Sequence, residues 1–159
     1  MGKSIERLLP SEIEKRSFEL IAAEMNTCPS QDQRPIIMRV IHTTADFEYE
    51  HQLKFSEGVV EQALDAIRKG ASIVTDTNMV KAGINKAKLH EFGGEVYCFM
   101  ADEDVEEEAK KNKTTRAVAS MNKACALNQP IIFAIGNAPT ALIHLHDLIN
   151  EGKLKPELI

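Results

Sequence analysis

Apolar and polar positions follow two rhythms along this chain. One recurs every three to four residues, as the buried stripe of a helix does, and the other packs four to six apolar residues into short runs bounded by polar ones. The helical rhythm carries Ile13, Leu20, Ile21 and Met25, with Ser11 placed to cap the segment and Pro29 ending it. It returns at Val59, Val60, Ala63, Leu64 and Ile67. Ser56 precedes that stripe as a cap, and Arg68, Lys69 and Gly70 suit a helix C-terminus in charge and backbone freedom. Residues 79–92 predict a helix interrupted near Gly83, and residues 104–111 and 115–127 predict two more. Leu142, Leu145, Leu148 and Ile149 predict the inward face of a last helix. The short apolar runs predict strands at 36–41, 72–75, 95–100 and 130–135. Four short strands separated by helices predict an α/β fold, a flavodoxin-like parallel sheet with right-handed crossovers and helices on both faces. No repeat and no internal boundary interrupts the pattern, so residues 1–159 are expected to form a single domain.

Three of the four predicted strands break into polar clusters: His42-Thr43-Thr44-Ala45-Asp46, Thr75-Asp76-Thr77-Asn78 and Gly136-Asn137-Ala138-Pro139-Thr140. In a parallel sheet all three lie on one edge, where open α/β sheets bind their ligands. His42, delivered there by a rigid strand, is a candidate proton donor. A histidine at a strand end is also often a hydrogen-bonded structural group, and Asp46 can either orient its ring or cap the next segment. Helix starts after these clusters offer free backbone N–H groups to anions, and Gly136 allows close approach to the backbone. Capping alone also accounts for Asp76 and Thr140, and both readings stand at this point.

Composition narrows the class. The chain is 43% hydrophobic and 27% charged over 159 residues, which describes an ordered globular domain. A net charge of −5 without a basic stripe argues against a nucleic-acid partner. No apolar stretch reaches the ~20 residues that cross a bilayer. The first ten residues carry Lys3, Glu6 and Arg7 in place of an apolar signal core, so a cytoplasmic location is expected. Cys28, Cys98 and Cys125 are widely spaced and imply neither a disulfide framework nor a zinc site. His144 and His146 lie two residues apart on a predicted helix and point to different faces, so no metal is expected there. His51 and His90 are expected at the surface, and the acidic run 102–108 as a solvated helix start. No P-loop or dinucleotide fingerprint is present.

Three segments carry a family likeness: RVIHTTADF at 39–47, TDTNMVKAGI at 75–84 and AIGNAPTAL at 134–142. Together with Arg16-Ser17-Phe18, Phe92-Gly93-Gly94-Glu95-Val96 and the Thr115-Arg116 pair, they closely resemble the precorrin-8X methylmutase family, in one register from about Ser11 to Ile159. The resemblance implies an isomerase of cobalamin biosynthesis that moves a methyl group between adjacent ring C carbons of a corrinoid precursor. The methyl is already on the substrate, so no cofactor is implied. His42 takes the role of the acid that protonates the substrate near ring C, and Ser17 and Arg39 match family substrate-binding positions.

A corrinoid precursor carries several acidic arms. An acidic protein must grip it through local donors, and Arg39 and Arg116 are candidate carboxylate forks. Thr43, Asp76, Gly136, Asn137 and Thr140 complete the candidate substrate-binding set, while Met79, Val80 and Ile84 offer an apolar wall or simply pack. The resemblance also implies a homodimer with the cleft near its interface, and HTTAD looks more like the cobalt-containing branch. Two departures stand out. Ala117 occupies a position where the family commonly has serine, and the chain stops at 156–159, where the family begins its fifth strand. The chain is therefore expected to be truncated relative to the family, lacking that strand and the turn and glycine-rich stretch beyond it, as a fragment or with a partner covering the gap. A noncatalytic corrinoid-binding or carrier protein is the alternative, and an α/β interaction module that binds no tetrapyrrole is a third.

Overall fold

The computed structural model describes residues 9–159, apart from the side chains of Pro10 and Ser11. The expectations resting on Lys3, Glu6 and Arg7 and on the Ser11 hydroxyl lie outside the described residues. The chain divides into two compact units, one ending at Val60 and one running from Glu61 to Ile159.

The first unit holds three helices, α1 (Pro10–Glu24), α2 (Arg34–Thr44) and α3 (Tyr49–Gln52). Leu9, not Ser11, stands at the N-cap of α1, and the Glu12 carboxylate accepts its N–H at 3.1 Å. Residues 36–41, expected as a strand, lie inside α2. The reason is legible in the side chains. A two-residue period would put Arg39 on the same face as Ile37 and Ile41 and drive a guanidinium into the core. A helix brings Ile37 and Ile41 together one turn apart, and they are 3% and 1% exposed. They pack on Ile21 of α1, with Phe18, Met25, Met38 and Phe47 around them. Each such isoleucine contributes about 2 kcal/mol of burial, more than the β-preference of the run opposes. Pro35 in the first turn favours the helix too, since its fixed φ suits that position.

At its end α2 closes on Ala45, a non-glycine residue with φ of 56°, whose N–H donates to the Ile41 carbonyl at 2.7 Å. The Thr43 and Thr44 hydroxyls turn back on the carbonyls of Arg39 and Val40, at 2.9 and 2.8 Å. Ile13 and Leu20, expected to face inward from α1, are exposed.

The second unit begins just inside α4 (Val59–Arg68). It continues through β1 (Ser72–Thr75), α5 (Asn78–Gly83), α6 (Lys86–His90), β2 (Val96–Tyr97), α7 (Glu103–Lys111), α8 (Arg116–Cys125), β3 (Ile131–Ala134) and α9 (Pro139–Asn150). The break at Gly83 is present, and Gly70, with φ of 84°, ends the α4 segment by a left-handed turn that glycine adopts without strain. The strands form a parallel sheet in the order β2-β1-β3. Because α2 is a helix, this sheet has three strands where four were expected before the chain end. β2 is shorter than the predicted run at 95–100, since the Phe99 carbonyl already accepts the Asp102 N–H and turns the chain toward α7. Beyond β3, Leu158 bridges Ile132 in the parallel sense, and the Phe133 N–H donates to the Leu158 carbonyl at 2.9 Å. The order β2-β1-β3 matches the first three positions of the doubly wound succession 2-1-3-4-5.

Val74, Ile131 and Phe133 cover one face of the sheet and pack against Met121 and Ala124 of α8 and Leu145 and Leu148 of α9. On the other face, Ile73 shares an apolar cleft with Ile67 of α4 and Leu89 of α6. Helices therefore border both faces. The inward stripe of α9 is Ala141, Leu145 and Leu148, while Leu142 and Ile149, expected inside, are exposed. The helical repeat centred on Leu145 and Leu148 passes through Ala141, and it leaves Leu142 off the stripe.

Candidate active site

The polar residues of the first unit meet across one pair of helices. Glu14, Ser17 and Phe18 share a face of α1 by their three- and four-residue spacing, and Arg39 and His42 lie one turn apart on α2. Ser17 Oγ is 2.8 Å from His42 Nδ1. The Phe18 ring stacks on the imidazole with centroids 5.2 Å apart and planes 30° from parallel. On Phe18 rests the Arg39 guanidinium as well, with Cζ 4.7 Å from the ring centroid. Glu14 pairs with Arg39. The hydrogen bond and charge of Arg39 hold the Glu14 carboxyl below the usual range, and the nearby His42 adds to the effect. Both partners of that ion pair are 56% exposed, so water screens it and an incoming carboxylate can exchange for Glu14.

His42 is half-buried and lines a cleft of about 180 Å³ together with Ser17, Ile21, Glu24 and Phe47. Its ring is therefore not sealed inside. Ser17 engages Nδ1, and among the described residues Nε2 has no hydrogen-bond partner. Thr43 directs its hydroxyl to its own helix. Asp46 accepts the Glu48 N–H at 2.9 Å and closes the turn after α2, which is the capping reading of that residue.

In the second unit the clusters after β1 and β3 do meet, at the point between those strands where the strand order reverses. Asp76 is 0% exposed and its carboxylate accepts N–H bonds from Gly136 at 3.0 Å and from Asn137 and Ala138 at 2.7 Å. Burial pushes this carboxyl up, but the backbone donors outweigh it and hold the group below the ordinary aspartate value. The donors that the sequence offered to an anionic ligand thus go to Asp76. Nor does Gly136 leave room for a ligand over its Cα, because a Cβ there would stand 2.5 Å from Val80 Cγ2. Asn137 and Thr140 remain exposed. The Thr115 hydroxyl caps α8 through Val118 N and reaches Thr140 Oγ1 at 3.4 Å. Arg116 pairs with Glu106 at 2.7 Å, which also holds Lys110. Ala117 is buried in the core beneath α8, at 5% exposure.

The expectation that all three clusters share one strand edge does not apply to His42, since it leaves a helix rather than a strand. His144 and His146 take separate partners, Asn122 for the first and Asp147 and Asn150 for the second. Among the described residues no group of side chains has the makings of a metal site. Two members of the α1–α2 face were not foreseen in their roles, Glu14 as the partner of Arg39 and Phe18 as the ring between Arg39 and His42. The signal was the spacing 14, 17, 18, which sets all three on one helical face once α1 is recognised.

A sequence model of the precorrin-8X methylmutase family matches residues 12–159. The chain belongs to the precorrin-8X methylmutase family. Cobalt-precorrin-8 methylmutase of Priestia megaterium is 46% identical over 151 residues, covering 94% of this chain and 67% of that protein. The cobalt-precorrin-8 methylmutase of Leptospira interrogans is 39% identical over 150 residues, covering 92% and 68%. Among solved structures, the precorrin-8X methylmutase from Thermus thermophilus superposes with a TM-score of 0.82 at 37% identity, covering 93% of this chain and 72% of that one. The chain thus spans about two thirds of the length of these curated methylmutase relatives. Both the α1–α2 face and the Asp76 corner lie inside the methylmutase match.

Proposed function

We propose that this chain acts as a corrinoid isomerase, moving a methyl group between adjacent ring C carbons of a cobalamin precursor, with His42 as the proton donor. The observation that carries the proposal is the Ser17–His42 pair, which fixes Nδ1 of a ring that lines a cleft and whose Nε2 has no partner among the described residues. In the charged imidazole Nδ1–H donates to Ser17 Oγ while Nε2–H is available to the substrate. Once that proton has moved, Nδ1 keeps its hydrogen and goes on donating to Ser17 Oγ, so the bare Nε2 stays directed at the substrate and can take the proton back. Protonation near ring C polarises the conjugated system and lowers the barrier to migration. The proton is returned at the end, so the reaction is a net isomerisation and calls for no external methyl donor. Proton transfer from a positioned acid is worth about 10²–10⁴ in rate.

Arg39 binds a substrate carboxylate in exchange for Glu14, and Thr43 lies one helical step from His42 at the same end of α2. Asn137 and Thr140 offer exposed donors in and just after the turn that Asp76 holds at Gly136, and Arg116 offers another at the start of α8. The family likeness further supports a homodimer working in the cytoplasm, and among the described residues no helix is long and apolar enough to cross a membrane.

The test is incubation of the chain with metal-free and cobalt forms of the precursor, followed by absorbance spectroscopy and chromatography of the product. Conversion of either form is expected. Tight binding without conversion would establish a carrier instead, and an unchanged spectrum on titration would remove tetrapyrrole binding altogether.

A further inference from the structure

A second cleft, of about 500 Å³, opens between α1 and the start of α2 and is lined by Phe18, Pro29, Gln31, Arg34, Met38 and Arg39. Its volume falls within the range of small-molecule sites, roughly 300–1,000 Å³, enough for one edge of a macrocycle and the arms it carries. The walls are apolar where Phe18, Pro29 and Met38 supply them. The polar lining consists of two guanidinium groups and an amide, with no carboxylate among them. Glu14 compensates Arg39, so among the described residues the unpaired charge of this lining is that of Arg34, on a chain whose net charge is −5. The two arginines differ in state. Arg39 is held by Glu14 and rests on Phe18, whereas Arg34 takes part in no ion pair among the described residues. Phe18 connects this cleft to the imidazole, since one ring touches both Arg39 and His42.

We propose that Arg34 is a further substrate-binding residue, a second carboxylate fork that grips an acidic arm of the corrinoid while Arg39 takes another. Two arms fixed in one cleft set the rotation of the macrocycle, which a single arm cannot do, and so present ring C to His42. A planar guanidinium suits this task because it can take a carboxylate through two parallel N–H bonds. The inference rests on the corrinoid reading above and assigns a residue to the same site.

The experiment is a visible-absorbance titration of the chain and of its Arg34→Gln and Arg34→Lys variants with two probes, the acid-armed precursor and a fully amidated corrinoid. Arg34→Gln is expected to weaken the acid-armed ligand about tenfold, or ~1.4 kcal/mol, and to leave the amidated one unchanged. Arg34→Lys should recover part of the loss, as a point charge without the fork. Equal affinity of Arg34→Gln and the parent chain for the acid-armed precursor would overturn the proposal. So would a loss shared equally by both probes, which marks a structural defect. If the parent chain binds neither probe, the corrinoid reading falls and this inference falls with it.

Discussion

The α1–α2 face and the Asp76 corner are made of similar residues and have opposite fates. In the corner the buried groups are matched: a fully buried carboxylate takes three backbone N–H groups, and Val80 fills the space over Gly136. On the helix face the groups are half-buried or exposed, the ion pair is exchangeable, and one imidazole nitrogen is open among the described residues. The difference teaches how to sort polar clusters that follow apolar runs. A saturated buried network fixes a loop, while an unsaturated one beside a cleft is available for chemistry.

Four substitutions should break or sharpen that contrast. His42→Ala has the largest expected effect, a loss of about 10²–10⁴ in turnover with a melting temperature close to that of the parent chain; product chromatography and a thermal melt read both. Asp76→Ala should do the reverse and act on stability, costing about 3 kcal/mol as charged hydrogen bonds are lost and three N–H groups are left unmatched. Denaturant titration measures it. The sign with pH follows from the lowered carboxyl. Its contribution is complete above the unfolded aspartate value of about 4 and is lost as the pH falls through the lower folded value, so the parent chain should converge on Asp76→Ala in acid.

Gly136→Ala forces a methyl group against Val80 and should cost about 1–3 kcal/mol, seen as a lower urea midpoint. The smallest effect is a gain. Ala45→Gly relieves the left-handed φ at the end of α2 and should add about 0.5–1 kcal/mol, visible as a modest rise in melting temperature.

Much of the second unit was legible in the sequence because its signals agree. β1 and β3 are short apolar runs bounded by turn residues, and the helices on either side carry a clear repeat. The Gly83 break and the Gly70 turn follow from backbone freedom at named positions. In α2 the β-branched residues argue for a strand locally, while the helix is fixed by the tertiary burial of Ile37 and Ile41 with Arg39 kept outside. Ser17, Arg39 and His42 emerged as a set from the family motifs. Their contacts were not legible, since the Glu14–Arg39 pair and the Phe18 stack exist only when two helices pair in a particular register. For Asp76 capping and ligand contact demand the same residue, and only the position of the Gly136–Ala138 backbone decides which one the fold adopts.

Chemical rescue of His42→Gly by free imidazole is the most direct test of His42 as an acid held beside a corrinoid. The substitution empties the ring's position at a cost to the helix of about 1 kcal/mol, which leaves a folded protein to assay. Turnover should be lost and then return, in a saturable way, as imidazole is added. His42→Gly converting the precursor at the parent rate without imidazole would contradict the account.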